Sequence, residues 1–178
     1  MDEAEFIERY MILMLGASKN PLPSVMHFQK EMFLLSKFKM DVADSFNFEK
    51  HYFGPFSQVL NDALKSPAHF SEAFNFDRSK ILLTEDGRRE FDKMIKNFSK
   101  EEDFKIIVSS LELLRSLYDR LSETEIMFLI YETYPEYTEF SKVSDRLLKN
   151  KFIRDRIIKS IFSKGLITEE RYEELKHE

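Results

Sequence analysis

Apolar side chains recur at helical spacing near the start of the chain. Ile7, Tyr10, Met11 and Met14 share one stripe of residues 4–17, and Gly16 with Pro21 and Pro23 supplies the stop. Ser24 is placed as the N-cap of a second helix, with Val25, Phe28, Met32 and Leu35 on one face and an end near Phe38. The period then changes. Phe46, Phe48 and Tyr52 fall on one side at period two, which predicts a half-buried strand broken by Gly54-Pro55. Helical spacing returns with Phe56, Val59, Leu60, Ala63 and Leu64, while Ser57, Gln58, Asn61, Asp62 and Lys65 face away. Pro67 ends this third helix. Phe74-Asn75-Phe76 and Ile81-Leu82-Leu83 flank the polar turn Asp77-Arg78-Ser79-Lys80, which predicts a β-hairpin. Thr84 then caps a helix whose stripe is Phe91, Met94, Ile95 and Phe98.

Past Ser99 the pattern is helical throughout. Phe104, Ile107, Val108, Leu111, Leu114, Tyr118 and Leu121 line one side of a helix of about five turns. Ser122-Glu123-Thr124-Glu125 is a capping-box sequence opening a helix that is apolar nearly all round from Ile126 to Tyr131 and closed by Pro135. Two further helices carry Phe140, Val143 and Leu147, then Ile153, Ile157 and Ile161. Lys164-Gly165 makes a C-cap, and a last short helix starts at Thr168. The fold class this predicts is mainly α. A winged helix-turn-helix occupies residues 1–98 with a small β-hairpin wing, and an α-helical half occupies 99–178, either separate or packed with the first as one unit.

Composition narrows the chemistry. Hydrophobic residues make up 43% of the 178 and charged residues 33%, far from the balance that leaves chains disordered. With 18 Phe, 7 Tyr and no Trp, the core is built largely of phenyl rings. The absence of cysteine excludes disulfides, thiolate zinc sites and cysteine nucleophiles, and fits a reducing compartment. The opening Met1–Glu5 is acidic where a secretory signal is basic. The longest apolar runs, Tyr10–Leu15 and Ile126–Tyr131, are too short to span a bilayer, so a cytoplasmic protein without a membrane partner is expected.

Motif searches return little. Gly16, Gly54, Gly87 and Gly165 stand too far apart for a phosphate-cradling loop. His27 and Glu31 have one helical metal-ligand spacing, but no further ligands accompany them, so neither metal nor cofactor nor enzymatic activity is expected. The order of elements points to double-stranded DNA. On the third helix, whose outward side begins at Ser57 as a further contact, Gln58 and Asn61 would read adenine edges in the major groove, and Lys65 with Arg78 and Lys80 of the wing would contact phosphates. The net charge of −5 weighs against this and favours a protein partner. Residues 142–164 run the other way, with eight basic side chains against two acidic ones. Arg146, Lys149, Lys151, Arg156 and Lys159 form a candidate second basic face, open equally to phosphate or to an acidic partner.

Two motifs carry a family resemblance. At Phe28-Gln29-Lys30-Glu31-Met32-Phe33-Leu34-Leu35 and His51-Tyr52-Phe53-Gly54-Pro55-Phe56-Ser57 the chain resembles the YwgA-like winged-helix proteins and, more distantly, the Panacea (SocA-like) antitoxin domains. Gln29, Lys30, Tyr52, Gly54 and Pro55 are the matching positions, within residues 20–66. Ile81–Gly87 is similar to the wing-and-helix junction of winged-helix regulators. The resemblance implies a winged-helix fold and a regulatory or partner-binding role: DNA-binding transcription regulation, or an antitoxin or adaptor role through a partner such as a toxin. For a DNA regulator, paired half-sites call for two-fold symmetry and hence a homodimer.

Overall fold

The structure, a computed structural model, describes residues 1–177. The chain passes through α1 (Glu3–Gly16), α2 (Val25–Ser36), α3 (Met40–Phe46), β1 (Glu49–His51), β2 (Gly54–Phe56), α4 (Gln58–Lys65), β3 (Phe74–Asp77) and β4 (Lys80–Leu83). It continues through α5 (Glu85–Phe98), α6 (Glu102–Tyr118), α7 (Glu123–Thr133), a 3-10 turn (Pro135–Thr138), α8 (Ser144–Leu148), α9 (Lys151–Ser163) and α10 (Glu169–His177). The chain is mainly helical, and its strands form two antiparallel hairpins, β1–β2 and β3–β4. It divides into two units, one of Met1–Phe48 and Ser57–Asp119, the other of Glu49–Phe56 and Arg120–Glu178. Among the described residues no helix is long and apolar enough to cross a membrane.

The first unit is organised around α1. Apolar on almost every side, this helix is buried from Met11 to Gly16 and packs against α4, α5 and α6. Phe28, Met32 and Leu35 of α2, Leu60 of α4 and Ile81 of β4 complete the same core. Between the two prolines, Leu22 makes an isolated antiparallel bridge to Ile81, exchanging N–H to O bonds of 2.8 and 2.9 Å, so β4 has a partner on each side. The hairpin β3–β4 pairs Phe74 with Leu83 and Asp77 with Lys80, and Arg78 in its turn takes a left-handed φ of 59°. Thr84 caps α5 by accepting from the Gly87 N–H at 3.1 Å. Gly87 is required where it stands, since a Cβ there would collide with the Ala73 carbonyl.

Two expectations fail between residues 46 and 56. Phe46 belongs to no strand; it ends the unforeseen helix α3, and Asn47 at φ 43° turns the chain out of it. Phe46 and Phe48 do face one core, with ring centroids 6.4 Å apart, so their period-two spacing reflects a helix end and a left-handed turn, not a pleat. Gly54-Pro55 is no breaker either. It forms β2, with Gly54 at φ 81°, opposite the β1 that supplies the real strand. The boundary expected between residues 98 and 99 also moves. Leu111 and Leu114 of α6 are buried in a helix that packs on α1 and α2, which keeps the chain in the first unit to Asp119.

In the second unit Ser122 and Glu125 form the expected capping box, and α7 is buried through Ile126, Met127, Phe128, Ile130 and Tyr131. Ile157, Ile158 and Ile161 of α9 pack beneath it, and Phe162 stacks on Tyr172 of α10 at 4.4 Å. The helix expected around Phe140 starts late. The Ser141 hydroxyl bonds to Tyr131 and accepts the N–H groups of Val143 and Ser144, which leaves only Ser144–Leu148 helical and Phe140 exposed. Lys164 and Gly165, the latter at φ 69°, end α9 as expected.

Candidate nucleic-acid interface

Helix α4 is set by three devices. The Ser57 hydroxyl donates to the Phe46 carbonyl and accepts from the Leu60 N–H at 3.1 Å. The Gln29 side-chain amide grips the same residue, donating to the Ser57 carbonyl at 3.0 Å and accepting its N–H at 2.9 Å. Leu60 and Leu64 are buried, at roughly 1.5–3 kcal/mol each, against about 1 kcal/mol for the cap. Burial therefore fixes which face of α4 points outward, and the polar clamp fixes where the helix begins. Ser57, expected to touch DNA, is fully buried with its N–H, C=O and hydroxyl all engaged, and it is removed from the contact set.

The other expected residues on α4 lie outward. Gln58 and Lys65 are exposed and Asn61 is half-buried. Asp62 is exposed among them, and its Oδ1 accepts from Gln58 Nε2 at 2.7 Å and from Asn61 Nδ2 at 3.3 Å. Both amide donors that would read a base edge are thus turned onto one carboxylate. On the hairpin, Arg78 and Lys80 are exposed, and Asp77 is the register partner of Lys80. Across α4 and the hairpin turn, three cations meet two carboxylates.

The motif residues have structural duties. Gln29 is the clamp on Ser57, and Lys30 is buried in α2. Tyr52 lies in the β1–β2 turn under the Lys142 ammonium, 3.9 Å from the ring centroid, and its carbonyl accepts the Lys142 N–H at 3.0 Å. Gly54 and Pro55 are buried in β2.

Of the second basic face, Arg146, Lys149, Lys151, Arg156 and Lys159 are all exposed. Lys149 is paired with Asp145 at 2.7 Å. Arg146 and Arg156 come to one cavity of about 470 Å³, together with Thr124, Ser160 and Lys164, whereas Lys149, Lys151 and Lys159 do not line it.

Pattern reading missed three buried polar arrangements in the first unit. The Glu8 carboxylate accepts the N–H groups of Ala68, His69 and Phe70 at 2.6, 3.0 and 2.8 Å, which anchors the segment after α4 to α1. Arg115, buried in α6, donates to the carbonyls of Met14 and Asn20 at 2.9 and 2.8 Å and pairs with Asp119 at 2.9 Å. Arg88 reaches the Gly16 carbonyl at 3.0 Å, so two guanidiniums satisfy the C-terminal carbonyls of α1. Glu31 is buried beside Arg115, with 3.9 Å from Arg115 Nε to its carboxyl, and neither Glu31 oxygen has a hydrogen-bond partner. Burial pushes its pKa well above the usual 4.5, the Asp119 charge adds to the rise and Arg115 opposes it. A charge set on an apolar stripe was the available signal for each. His27 does not join Glu31 in any ligand pair; its Nδ1 lies 3.0 Å from the Ser24 hydroxyl. Among the described residues no three His, Asp or Glu side chains gather as a metal site would need.

No family model matches this chain, and no match to it stands among the curated proteins or the solved structures.

Proposed function

We propose that the first unit is a winged-helix module that docks on double-stranded DNA, as a transcription regulator does. The observation that carries this reading is the order of its parts: α1, the bridge at Leu22, α2, then α4, then the β3–β4 hairpin, with Leu22 pairing onto β4 as a third strand. In that arrangement α4 is the groove helix and the turn at Arg78 the wing. Gln58 and Asn61 would contact base edges, with Lys65, Arg78 and Lys80 on phosphates. The resemblance of the Gln29-Lys30 and Gly54-Pro55 motifs to YwgA-like proteins adds support. A homodimer would match paired half-sites on the duplex.

One observation favours a second reading, an antitoxin-like or adaptor module that holds a protein partner. Asp62 stands at the centre of the outward face and takes both amide donors, and Val59 and Phe76 are exposed nearby in sequence on α4 and β3. The substitution Asp62→Asn separates the two. It removes a charge that repels phosphate, so binding to a random duplex at about 50 mM salt should strengthen several-fold if DNA is the partner. No duplex binding by either protein, or binding that D62N leaves unchanged or weakens, would reject the DNA reading and leave the protein-partner one.

A further inference from the structure

The excess of positive charge between residues 142 and 164 consists of paired and unpaired cations. Lys149 is held by Asp145, Arg154 by Glu132 at 2.9 Å, Lys164 by Glu125 at 2.6 Å, and Lys142 lies on the Tyr52 ring. Asp155, the other acid of the stretch, acts on Lys176 of α10. Arg146 and Arg156 make no hydrogen bond or ion pair among the described residues, and these two line the same cavity.

That cavity lies wholly within the second unit, at the start of α7 and along α8 and α9, and its volume of about 470 Å³ suits a small organic molecule. Ile153 and Ile157 supply apolar lining, and Thr124 and Ser160 line it as well. The one carboxylate in it, Glu125, is already neutralised. Burial alone would raise its pKa, but hydrogen bonds from Lys164, Ser160 and Ser122 outweigh that and hold the carboxyl below its usual value. With Glu125 and Lys164 cancelling, the lining keeps the charge of two guanidiniums.

We propose that this cavity binds a small organic phosphate, its phosphoryl group between Arg146 and Arg156 and its carbon skeleton against Ile153 and Ile157. Guanidinium forks suit this group because each presents parallel N–H donors to two phosphate oxygens. Concavity and the two isoleucines of the lining favour a whole small molecule over a polymer backbone, which would need the cations in a line along an open face. Both arginines are exposed, so affinity should be moderate and weakened by salt.

Calorimetric titration of the full chain at fixed ionic strength tests this, with phenyl phosphate, inorganic phosphate and benzyl alcohol as probes. Phenyl phosphate should bind tightest, inorganic phosphate more weakly and benzyl alcohol undetectably. Arg146→Gln and Arg156→Gln should each lower phenyl phosphate affinity at least tenfold while circular dichroism reports an unchanged fold; Lys149→Gln, outside the cavity, should leave it unaltered. If no probe binds, or the two arginine variants bind as the wild type does, the proposal is wrong. It is equally overturned if a DNA duplex binds through these two arginines while phenyl phosphate does not, since the face would then serve a polymer.

Discussion

Glu31 is the residue whose chemistry departs furthest from its ordinary state. It sits in an apolar helix with no hydrogen-bond partner on either oxygen, next to an arginine already committed to Asp119 and the α1 carbonyls. A carboxyl with a raised pKa holds its proton in the folded state at pH values where the unfolded chain has released it. The folded state then binds more protons, so stability falls as pH climbs above about 4.5 and stops falling only once the folded pKa is passed. Glu31→Gln keeps the shape and removes the titration. Its unfolding free energy at neutral pH should exceed the wild type's, and the gap should widen as pH rises from 4.5, read by urea denaturation across pH. A constant gap, or a gap that closes with rising pH, would contradict this assignment.

At the scale of elements, caps were legible in the sequence and packing partners were not. Ser24, Thr84 and Ser122 are small hydroxyl residues just ahead of apolar periodicity, and each accepts the backbone N–H three residues on. Helix α3 gave no such mark. It lacks a side-chain cap, spans one stretch of seven residues and buries only Val42 and Phe46, too little for periodicity to stand out. The motifs around Gln29 and before Ser57 were visible, but the clamp that joins these two residues, 28 apart, is announced by nothing local to either motif. The clamp has a measurable consequence. Gln29→Ala leaves the buried N–H of Ser57 without a partner, its carbonyl keeping only the Asn61 N–H, and should cost about 1–3 kcal/mol, while Ser57→Ala, which loses the cap and the bond to Phe46, should cost about 1–2 kcal/mol. Amide exchange should then rise first in α4 for both variants. Loss confined to α2 would mean the clamp does not hold α4.

Over the whole molecule, a mainly helical chain with a hairpin at residues 74–83 was legible in the periodicity, and a division of units that keeps α6 with α1 was not. The reason is physical. Hydrophobic periodicity tells that α6 has an apolar face, not which neighbour covers it, and Arg115 ties that helix to the α1 end through carbonyls 95–101 residues away. The candidate site was legible to the same degree. The helix after Ser57 and the hairpin around Arg78 stand where they were expected, but Ser57 is a buried anchor and Asp62 takes both the Gln58 and the Asn61 amide, facts that depend on side-chain direction. The thin cation count on this face makes the electrostatic dependence of binding the sharpest probe of the account. The decisive measurement is the affinity for a random DNA duplex against salt concentration, for the wild type and for the triple variant Lys65→Gln, Arg78→Gln, Lys80→Gln. The logarithm of the binding constant should fall linearly with the logarithm of salt for the wild type, and the slope should shrink by about 0.9 for each phosphate contact removed. A wild-type protein that does not bind at low salt, or a slope the triple variant leaves unchanged, would contradict the assignment of α4 and the wing to DNA.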